Sequence, residues 1–475
     1  MKESCMAMRG ARMKLGLAGI TAGAVLTVGT IPAAAEFQPS VETLMLVDAE
    51  TGQVLFDQNT DHPLPPASMT KMMSEYLILE AINNGDLSWD DEISISDFHA
   101  DLSHNPGLSN VMLRTDQQYT VQELYESVAI YSANASTMAL GEHIAGSEGA
   151  FVEQMNERGV EIGMGELMRE AGSEYGLDEL SAVFEEQLGD FQFVNSTGLP
   201  NRLLEGDHPE GTGAEEDNYM SAEATATLAY RLISDYPEVL DTASIPQMTF
   251  REGTDDAVDM MNWNWMLPGT QQPDSDYEPI DGLKTGHTNA AGYTFTGTAE
   301  KDGRRLISVV MGADSESHRF TETESVMEWG FENFEEAEVF PAGTTPSGQE
   351  TLDVAKGLEE EVGLITTDAV SMVVQDGEEE AFTSRVEMDE SLLTEDGALE
   401  APVEEGEVVG QVVLEYTGDR EINYLPGAEE AEMTVDIVTT DAVERAGWMS
   451  LTMSNISSFF AGLWSNVSTT VRGWF

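Results

Sequence analysis

The sequence predicts an α/β (α+β) domain, then a small all-β domain, then a C-terminal amphipathic helix. Three observations carry this prediction. Strand-like segments lie at both ends of residues 36–341 with helical segments between them, which favours one domain whose sheet uses both chain ends. Short β-like segments separated by turn residues recur through residues 342–441. Residues 442–475 have no acid after Glu444 and carry apolar residues at helical spacing.

Residues 1–35 have the pattern of an export signal. Four basic residues precede an apolar stretch that runs from Leu15 to about Ile31, and small residues then offer a cleavage point after Ala35. A retained membrane anchor is the less favoured alternative, because the stretch is short and interrupted by glycine. Cleavage would remove the only cysteine, Cys5, which excludes disulfides, thiol nucleophiles and cysteine-ligated zinc from the mature protein.

The charge balance is strongly acidic, with 21 Lys+Arg against 88 Asp+Glu and a formal net charge of −67. Such a surface repels a phosphate backbone, so no nucleic-acid partner is expected. The acids are spread along the chain, which favours a solvated surface adapted to high salt over bulk calcium binding. Removing residues 1–35 leaves 17 basic and 87 acidic residues, a net charge of −70, and only four lysines.

The first domain is predicted to begin with a strand pair and to end with two strands and a helix. The intervening helices are amphipathic; one stripe comprises Ala222, Thr225, Ala226, Ala229 and Leu232. The predicted strands are Thr43–Asp48, Gln53–Phe56, Gly292–Ala299 and Arg305–Gly312. The predicted helices are Met69–Ile82, two segments within Val121–Ile144, Ser221–Ser234 and a closing helix around Phe320–Phe334.

Residues 342–441 and 442–475 differ from the first domain in the pattern of their apolar and polar residues. The β-like segments are Ser371–Val374, Ser384–Met388, Val408–Tyr416 and Glu432–Thr439. These β-like segments contain no recognisable catalytic motif, which favours a spacer or binding module. The apolar stripe of the tail comprises Met449, Met453, Ile456, Phe460, Leu463, Val467 and Val471. Together with its aromatic residues, it favours a helix lying in a membrane interface over a helix packed on the β domain. No apolar stretch there is long enough to favour a span.

A possible nucleophile and base lie at the start of the first helix. Pro65 and Pro66 prevent an earlier start, so Ser68 is expected at the helix N-terminus. The i, i+3 spacing puts Ser68 and Lys71 on one face. A lysine amine that is kept neutral by burial or by another cation can take the proton of a serine hydroxyl. The alternative is a capping serine beside a surface lysine.

Two further segments complete a possible site. Ser132 and Asn134 form S-x-N between two helices, offering a hydroxyl for proton transfer and an amide; the alternative is a polar turn. Lys284-Thr285-Gly286 precedes a predicted strand; the alternative is a hairpin edge. Two of the four mature lysines fall in these motifs. No glycine-rich phosphate loop or paired histidine spacing occurs, so no cofactor and no metal are expected.

S-x-x-K, S-x-N and K-T-G in this order resemble the signature of penicillin-recognising serine enzymes. Residues 40–340 are similar to the low-molecular-mass D-alanyl-D-alanine carboxypeptidases of Gram-positive bacteria. The resemblance implies the penicillin-binding/β-lactamase-like serine transpeptidase fold and extends to the β domain and the tail. The matching stretches are Pro66–Leu79, Tyr131–Ala135, Phe193–Leu199, Phe250–Asp255 and Asp281–Thr288.

The resemblance implies a role for each motif residue. Ser68 would be the acylated nucleophile, Lys71 its general base and Ser132 a proton-transfer group. Backbone N–H groups of Ser68 and His287 would form the oxyanion hole. The implied substrate-binding residues are Asn134, Lys284, Thr285, Gly286, His287 and Arg319, the last as a carboxylate binder that follows from alignment and has no motif of its own.

The resemblance implies an exported D-Ala-D-Ala carboxypeptidase, peripheral on the extracytoplasmic face of the membrane, that trims peptidoglycan stem peptides and is inhibited by β-lactams. A class A-like β-lactamase is one alternative, although no E-x-x-x-N segment follows the S-x-N motif. A catalytically idle wall-binding or penicillin-sensing module is another. Two features depart from the family pattern: an acidic helical insertion over 164–188, interpreted as a surface helix, and Trp263, where some relatives carry a basic residue.

Overall fold

Strands at both ends of residues 37–340 enclose a series of helices, and the regular elements described after residue 340 are all strands. The computed structural model describes residues 37–168, 189–204, 206, 208–209, 211–270, 279–428 and 433–447. The α-helices in these ranges are α1 (Lys71–Asn83), α2 (Asp97–Ser103), α3 (Val121–Tyr131), α4 (Asn134–Ala145), α5 (Glu148–Glu161), α6 (Ala222–Asp235), α7 (Val239–Ala243) and α8 (Glu316–Asn333). The strands up to residue 340 are β1 (Thr43–Asp48), β2 (Gln53–Gln58), β3 (Glu92–Ser94), β4 (Gln118–Thr120), β5 (Phe191–Gln192), β6 (Tyr219–Met220), β7 (Gln247–Phe250), β8 (Val258–Met261), β9 (Ile280–Thr288), β10 (Gly292–Lys301), β11 (Arg304–Ala313) and β12 (Phe334–Phe340). Those after it are β13 (Thr351–Ala355), β14 (Glu361–Thr366), β15 (Val370–Gln375), β16 (Phe382–Met388), β17 (Leu399–Glu400), β18 (Val408–Tyr416), β19 (Asn423–Tyr424) and β20 (Thr434–Thr439).

A six-stranded antiparallel sheet joins the two ends of the first domain. Its strand order is β19-β2-β1-β11-β10-β9, and β1 pairs with β11 from Thr43 opposite Met311 to Asp48 opposite Leu306. Every residue of β1 is buried. Its alternating side chains enter two different cores, because helices cover both faces of the sheet. The predicted fold class, with one sheet built from both chain ends, is confirmed.

The helices divide between the two faces of this sheet. Buried residues of α1, α3, α4 and α6 form one core with Met45 and Val47, whereas α8 packs with Leu44 and Leu46 in the other. The predicted stripe of α6 is wholly buried. Helix α3 starts with a capping box, in which the Thr120 hydroxyl accepts from the Glu123 N–H and the Glu123 carboxylate accepts from the Thr120 N–H.

The start of the first helix differs from the sequence expectation. A 3-10 turn, Ala67–Thr70, precedes α1, and α1 itself begins at Lys71. Ser68 therefore lies inside a tight turn and does not cap the α-helix. Ala67, the first residue of this turn, has a positive φ of 50°, which is uncommon for a residue other than glycine.

The segment after residue 340 forms a second sheet with its own core. Its six strands follow the order β16-β18-β20-β14-β13-β17, and β12 pairs separately with β15. The connection between β18 and β20 leaves this sheet and supplies β19, which pairs with β2 of the first sheet. Leu425 is 2% exposed in the core beside α1 and α6, so this connection is packed into the first domain.

Three predictions concern residues outside the described ranges. They are the export signal over 1–35, most of the acidic insertion (169–188) and the amphipathic tail from 448 onward. None of the helices in the described ranges combines the length and the hydrophobicity that crossing a membrane requires.

Candidate active site

Close backbone approaches hold the turn that carries Ser68. A Cβ atom at Gly198 would lie 1.8 Å from the Ala67 carbonyl oxygen, and one at Gly286 would lie 2.6 Å from the Pro66 carbonyl oxygen. Glycine at these two positions therefore lets two separate segments press against the turn. Ser68 remains half-buried and accessible, as a nucleophile must be.

Lys71 is fully buried directly behind Ser68. Its Nζ lies 3.0 Å from Ser68 Oγ, 2.8 Å from Asn134 Oδ1 and 2.7 Å from the Thr197 carbonyl oxygen. A neutral amine has two N–H bonds and one lone pair. The charged amine donates to all three oxygens, whereas a neutral amine that donates to Asn134 and Thr197 has its lone pair left for the Ser68 hydroxyl.

Burial lowers the pKa of Lys71 well below its ordinary value, and the positive charge of Lys284 lowers it further. The Glu75 carboxylate opposes this shift. Burial and the charge of Lys284 thus both favour the neutral amine that a general base requires.

Ser132 and Lys284 form the second half of the site. Ser132 ends α3 in a left-handed conformation with φ 59°, and its Oγ accepts a hydrogen bond of 3.0 Å from Lys284 Nζ. Lys284 is 3% exposed and also donates to the Thr285 carbonyl at 3.3 Å. Burial lowers the pKa of Lys284 to about 8, while Glu75 raises it.

Asn134 begins α4 and is engaged at both ends of its amide. Oδ1 accepts from Lys71, and Nδ2 donates to the Ser109 carbonyl at 2.9 Å. Both ends of the amide are therefore already bonded to protein groups, and neither is left free for the expected contact with a substrate carbonyl. Its present contacts orient the Lys71 amine.

The K-T-G segment lies within β9, an edge strand of the first sheet in the described part of the chain. The Thr285 hydroxyl makes no hydrogen bond to another described residue and is available to a ligand. His287 is exposed; its ring stacks on Tyr293 at 4.1 Å, and its Nδ1 lies 2.8 Å from the Gly292 carbonyl oxygen. This stacking fixes the residue whose backbone N–H was predicted for the oxyanion hole.

Arg319 lies behind the K-T-G strand. Its Nη1 donates to the carbonyls of Gly286 at 2.9 Å and Thr294 at 3.3 Å, and its guanidinium packs against Phe320 at 4.7 Å. Burial lowers the pKa of Arg319 to about 10, which leaves it charged. The structure thus brings Arg319 to the strand, where it contacts two backbone carbonyls and pairs with Glu316 of its own helix at 3.6 Å.

Three groups in or behind the site were missed by sequence reasoning. The Thr197 carbonyl is a backbone group in a segment that carried only family resemblance. Glu75 (2% exposed) and Glu148 (6% exposed) are buried carboxylates, which nothing in an acid-rich sequence distinguishes from surface acids. In the described ranges, no three His, Cys, Asp or Glu side chains are grouped to hold a metal ion.

Family comparison agrees with this geometry. A family model described as D-alanyl-D-alanine carboxypeptidase matches residues 30–315, more than half of the chain. The chain belongs to that family. A second model, described as the C-terminal domain of penicillin-binding protein 5, matches residues 334–445 of the carboxypeptidase.

Curated relatives and solved structures support the same assignment. The D-alanyl-D-alanine carboxypeptidase DacF of Bacillus subtilis is 27% identical over 385 residues, covering 81% of this chain and 84% of the relative. DacC of Escherichia coli is 26% identical and covers 97% of each chain. The structure of PBP3 from Streptococcus pneumoniae has a TM-score of 0.63 at 28% identity, covering 86% of this chain and all of the other. The structure of penicillin-binding protein 5 from Haemophilus influenzae has a TM-score of 0.57 at 26% identity, covering 87% of this chain and 100% of the other.

The predicted family, fold and enzyme class are therefore confirmed. The protein is a serine hydrolase of the D-Ala-D-Ala carboxypeptidase type that acts in peptidoglycan metabolism.

Proposed function

We propose that this carboxypeptidase removes the terminal D-alanine of peptidoglycan stem pentapeptides through an acyl-enzyme on Ser68. The observation that carries the proposal is the three-contact arrangement of Lys71, which aims its lone pair at Ser68. Ser68 Oγ attacks the penultimate D-alanine carbonyl carbon as the Lys71 amine takes the hydroxyl proton. The backbone N–H groups of Ser68 and His287 bind the oxyanion.

Ser132 passes the proton to the departing amine. The C–N bond breaks, D-alanine leaves, and the acyl group stays on Ser68 as an ester. Lys284 orients the Ser132 hydroxyl, and Thr285 Oγ binds the terminal carboxylate together with the positive charge of Lys284. Water then attacks the ester carbonyl carbon as Lys71 takes its proton. The C–Oγ bond breaks, the shortened peptide leaves with a new carboxyl group, and Lys71 returns the proton to Ser68 Oγ.

Asn134, Gly286 and Arg319 are proposed to support substrate binding. Asn134 holds the Lys71 amine beside the cleft. Gly286 lets the turn that carries Ser68 approach β9 closely, since a Cβ atom there would lie 2.6 Å from the Pro66 carbonyl oxygen. Arg319 adds positive potential behind Thr285, which favours a substrate carboxylate.

The two buried lysines have opposite protonation states in this proposal. Adjacent buried ammonium groups destabilise each other, so one proton is lost first. Lys71 loses it, and Lys284, with its pKa lowered to about 8, keeps its charge at neutral pH. The Glu75 carboxylate favours the charged forms of both.

Replacing Glu75 by glutamine is expected to shift the pH profile of acylation to lower pH. Removing the carboxylate lowers the pKa of Lys284, so the alkaline limb, where Lys284 loses its proton, moves down in pH. The acidic limb, where Lys71 gains its proton, moves in the same direction but less, because burial raises the pKa of Glu75 to about 7 and it is partly protonated there. The rate of penicillin acylation between pH 5 and pH 10 measures both limbs. A uniformly lower rate with unmoved limbs would contradict the electrostatic role of Glu75.

The pentapeptide assay tests the proposed reaction. The purified protein should release D-alanine from a pentapeptide that ends in D-Ala-D-Ala, and more so as KCl screens its acidic surface. Benzylpenicillin should block the release by acylating Ser68, which mass spectrometry of the labelled peptide locates. The penicillin-labelled protein is the matched control for D-alanine release that does not depend on Ser68. Absence of D-alanine release at every salt concentration would contradict the proposal, and rapid hydrolysis of penicillin would favour the β-lactamase alternative.

We also propose an organisation for the whole chain. Residues 1–35 direct export, residues 36–341 carry catalysis, residues 342–441 form the β domain, and residues 442–475 bind the outer face of the membrane peripherally. The absence of acids after Glu444 and the apolar stripe of the tail support the last assignment.

Deleting residues 446–475 is expected to release the protein from membranes while its D-alanine release persists. The reason is that the tail supplies membrane affinity, whereas every motif residue lies before it. Membrane fractionation and the pentapeptide assay measure the two properties on one sample. An unchanged membrane-bound fraction would contradict the anchoring role.

A further inference from the structure

Glu148 is a buried carboxylate that no catalytic motif explains. It is the first residue of α5, is 6% exposed, and accepts hydrogen bonds from the Ser196 N–H at 2.7 Å and the Ser196 hydroxyl at 3.0 Å. Burying an ionisable carboxylate is unfavourable, and burial raises the pKa of Glu148 to about 7 while Ser196 opposes the shift. A site that keeps such a group requires an explanation.

The charged groups around Glu148 do not supply one. Glu142 on α4 and His99 on α2 face it, and these two approach each other at 3.6 Å. Glu148 itself forms no ion pair with a cation in the described ranges. Its two hydrogen bonds are both with Ser196.

Ser196 belongs to a segment whose backbone is fixed from several sides. The Ser196 carbonyl accepts from Ser74 Oγ at 2.7 Å. Asn195 Oδ1 accepts from the N–H groups of Thr197 at 3.0 Å and Gly198 at 2.8 Å. Together with the contact from Glu148 to the Ser196 N–H, these hydrogen bonds fix the peptide groups on both sides of Thr197.

The held group is one of the acceptors of the catalytic lysine. The Thr197 carbonyl oxygen lies 2.7 Å from Lys71 Nζ. The direction of the Lys71 lone pair follows from where Thr197 and Asn134 accept its N–H groups. A small displacement of the Thr197 carbonyl would therefore turn the lone pair away from Ser68.

We propose that Glu148 is a positioning residue for the Lys71 amine: by binding Ser196, its carboxylate fixes the Thr197 carbonyl that orients this amine. The inference rests on the proposed role of Lys71 as the base. It concerns a residue that touches neither the substrate nor Ser68.

The test compares three variants of the full chain by their rate of penicillin acylation across pH. Glu148→Ala removes both contacts with Ser196, and the rate is expected to fall about 10- to 100-fold. Glu148→Gln can still accept from the Ser196 N–H and donate to its hydroxyl, so its rate is expected to stay within about threefold of wild type. Glu142→Gln changes a neighbouring carboxylate that does not touch the segment, and it should acylate as the wild type does.

The pH profile separates positioning from loss of fold. A carbonyl that accepts from Lys71 favours the charged amine, so displacing it lowers the pKa of Lys71. The acidic limb of Glu148→Ala should then move to lower pH, whereas a smaller folded fraction would scale the profile without moving it. An unmoved limb, a wild-type rate in Glu148→Ala, or an equally slow Glu148→Gln would overturn the inference. A wild-type protein that penicillin does not acylate would instead overturn the proposed function.

Discussion

Replacing Lys71 by arginine is expected to lower the rate of Ser68 acylation about 100- to 10,000-fold, the range that general-base catalysis contributes. Arginine keeps a positive charge at every accessible pH and has no lone pair to accept a proton. Lys71 works in the opposite way, because burial and Lys284 favour its neutral form. Stopped-flow measurement of penicillin acylation gives the rate, and thermal unfolding reports whether the larger side chain disturbs the fold.

Two further variants complete this experiment. Lys301→Arg makes the same substitution at an exposed lysine at the end of β10 and should leave the rate unchanged. Lys71→Met keeps an unbranched side chain of similar length without charge or base, and it should be as slow as Lys71→Arg. Acylation of either Lys71 variant at the wild-type rate would show that another group takes the Ser68 proton.

The reacting side chains were predictable because they lie in short sequence motifs, within which residues only two or three positions apart come together. Ser68 and Lys71 are one turn apart, and Ser132 and Asn134 flank a break between helices. The pairing of Lys284 with Ser132 is not local, since 152 residues separate them. That pairing was accessible only through the order of motifs that the family shares. The scarcity of lysine made both cations conspicuous.

The supporting groups were not predictable, for two physical reasons. The Thr197 carbonyl is a backbone atom, and side-chain chemistry gives no sign of where it points. Glu75 and Glu148 are two glutamates in a chain with 88 acidic residues, and only their burial in the folded core distinguishes them from surface acids. The role of each depends on tertiary burial, which raises the pKa of both to about 7.

The strands also divide into those that their own residues predict and those that form by pairing with a segment distant in the sequence. Strands β1 and β11 are apolar, because burial on both faces favours such segments. Strand β1 was predicted with its observed bounds, and β11 to within one residue at each end. The polar K-T-G segment lies directly before the strand Gly292–Ala299, as predicted, but its own place in β9 was not predicted. Its strand conformation comes from hydrogen bonding with β10. The pairing of β19 with β2 joins residues about 370 positions apart, and no local pattern specifies it.

Replacing Gly198 by alanine is expected to destabilise the protein by roughly 2 to 5 kcal/mol and to slow acylation of Ser68 at least about 100-fold. Gly198 has φ +78°, a conformation that is unfavourable for alanine. A Cβ atom there would also lie 1.8 Å from the Ala67 carbonyl oxygen, so the turn that carries Ser68 must move. The same shift would displace the Thr197 carbonyl from Lys71. Chemical denaturation and penicillin acylation measure the two effects.

Gly85→Ala is the matched control, because it separates backbone strain from the close approach. Gly85 follows α1 with the same φ of +78°, but nothing lies within 4 Å of its added Cβ atom. This variant should lose only about 1 to 2 kcal/mol of stability and acylate at the wild-type rate. If Gly198→Ala behaved like Gly85→Ala in both measurements, contact between residue 198 and the Ala67 carbonyl would not be what holds Ser68 in place. A Gly198→Ala protein that is less stable but acylates normally would likewise separate the stability of the turn from its catalytic geometry.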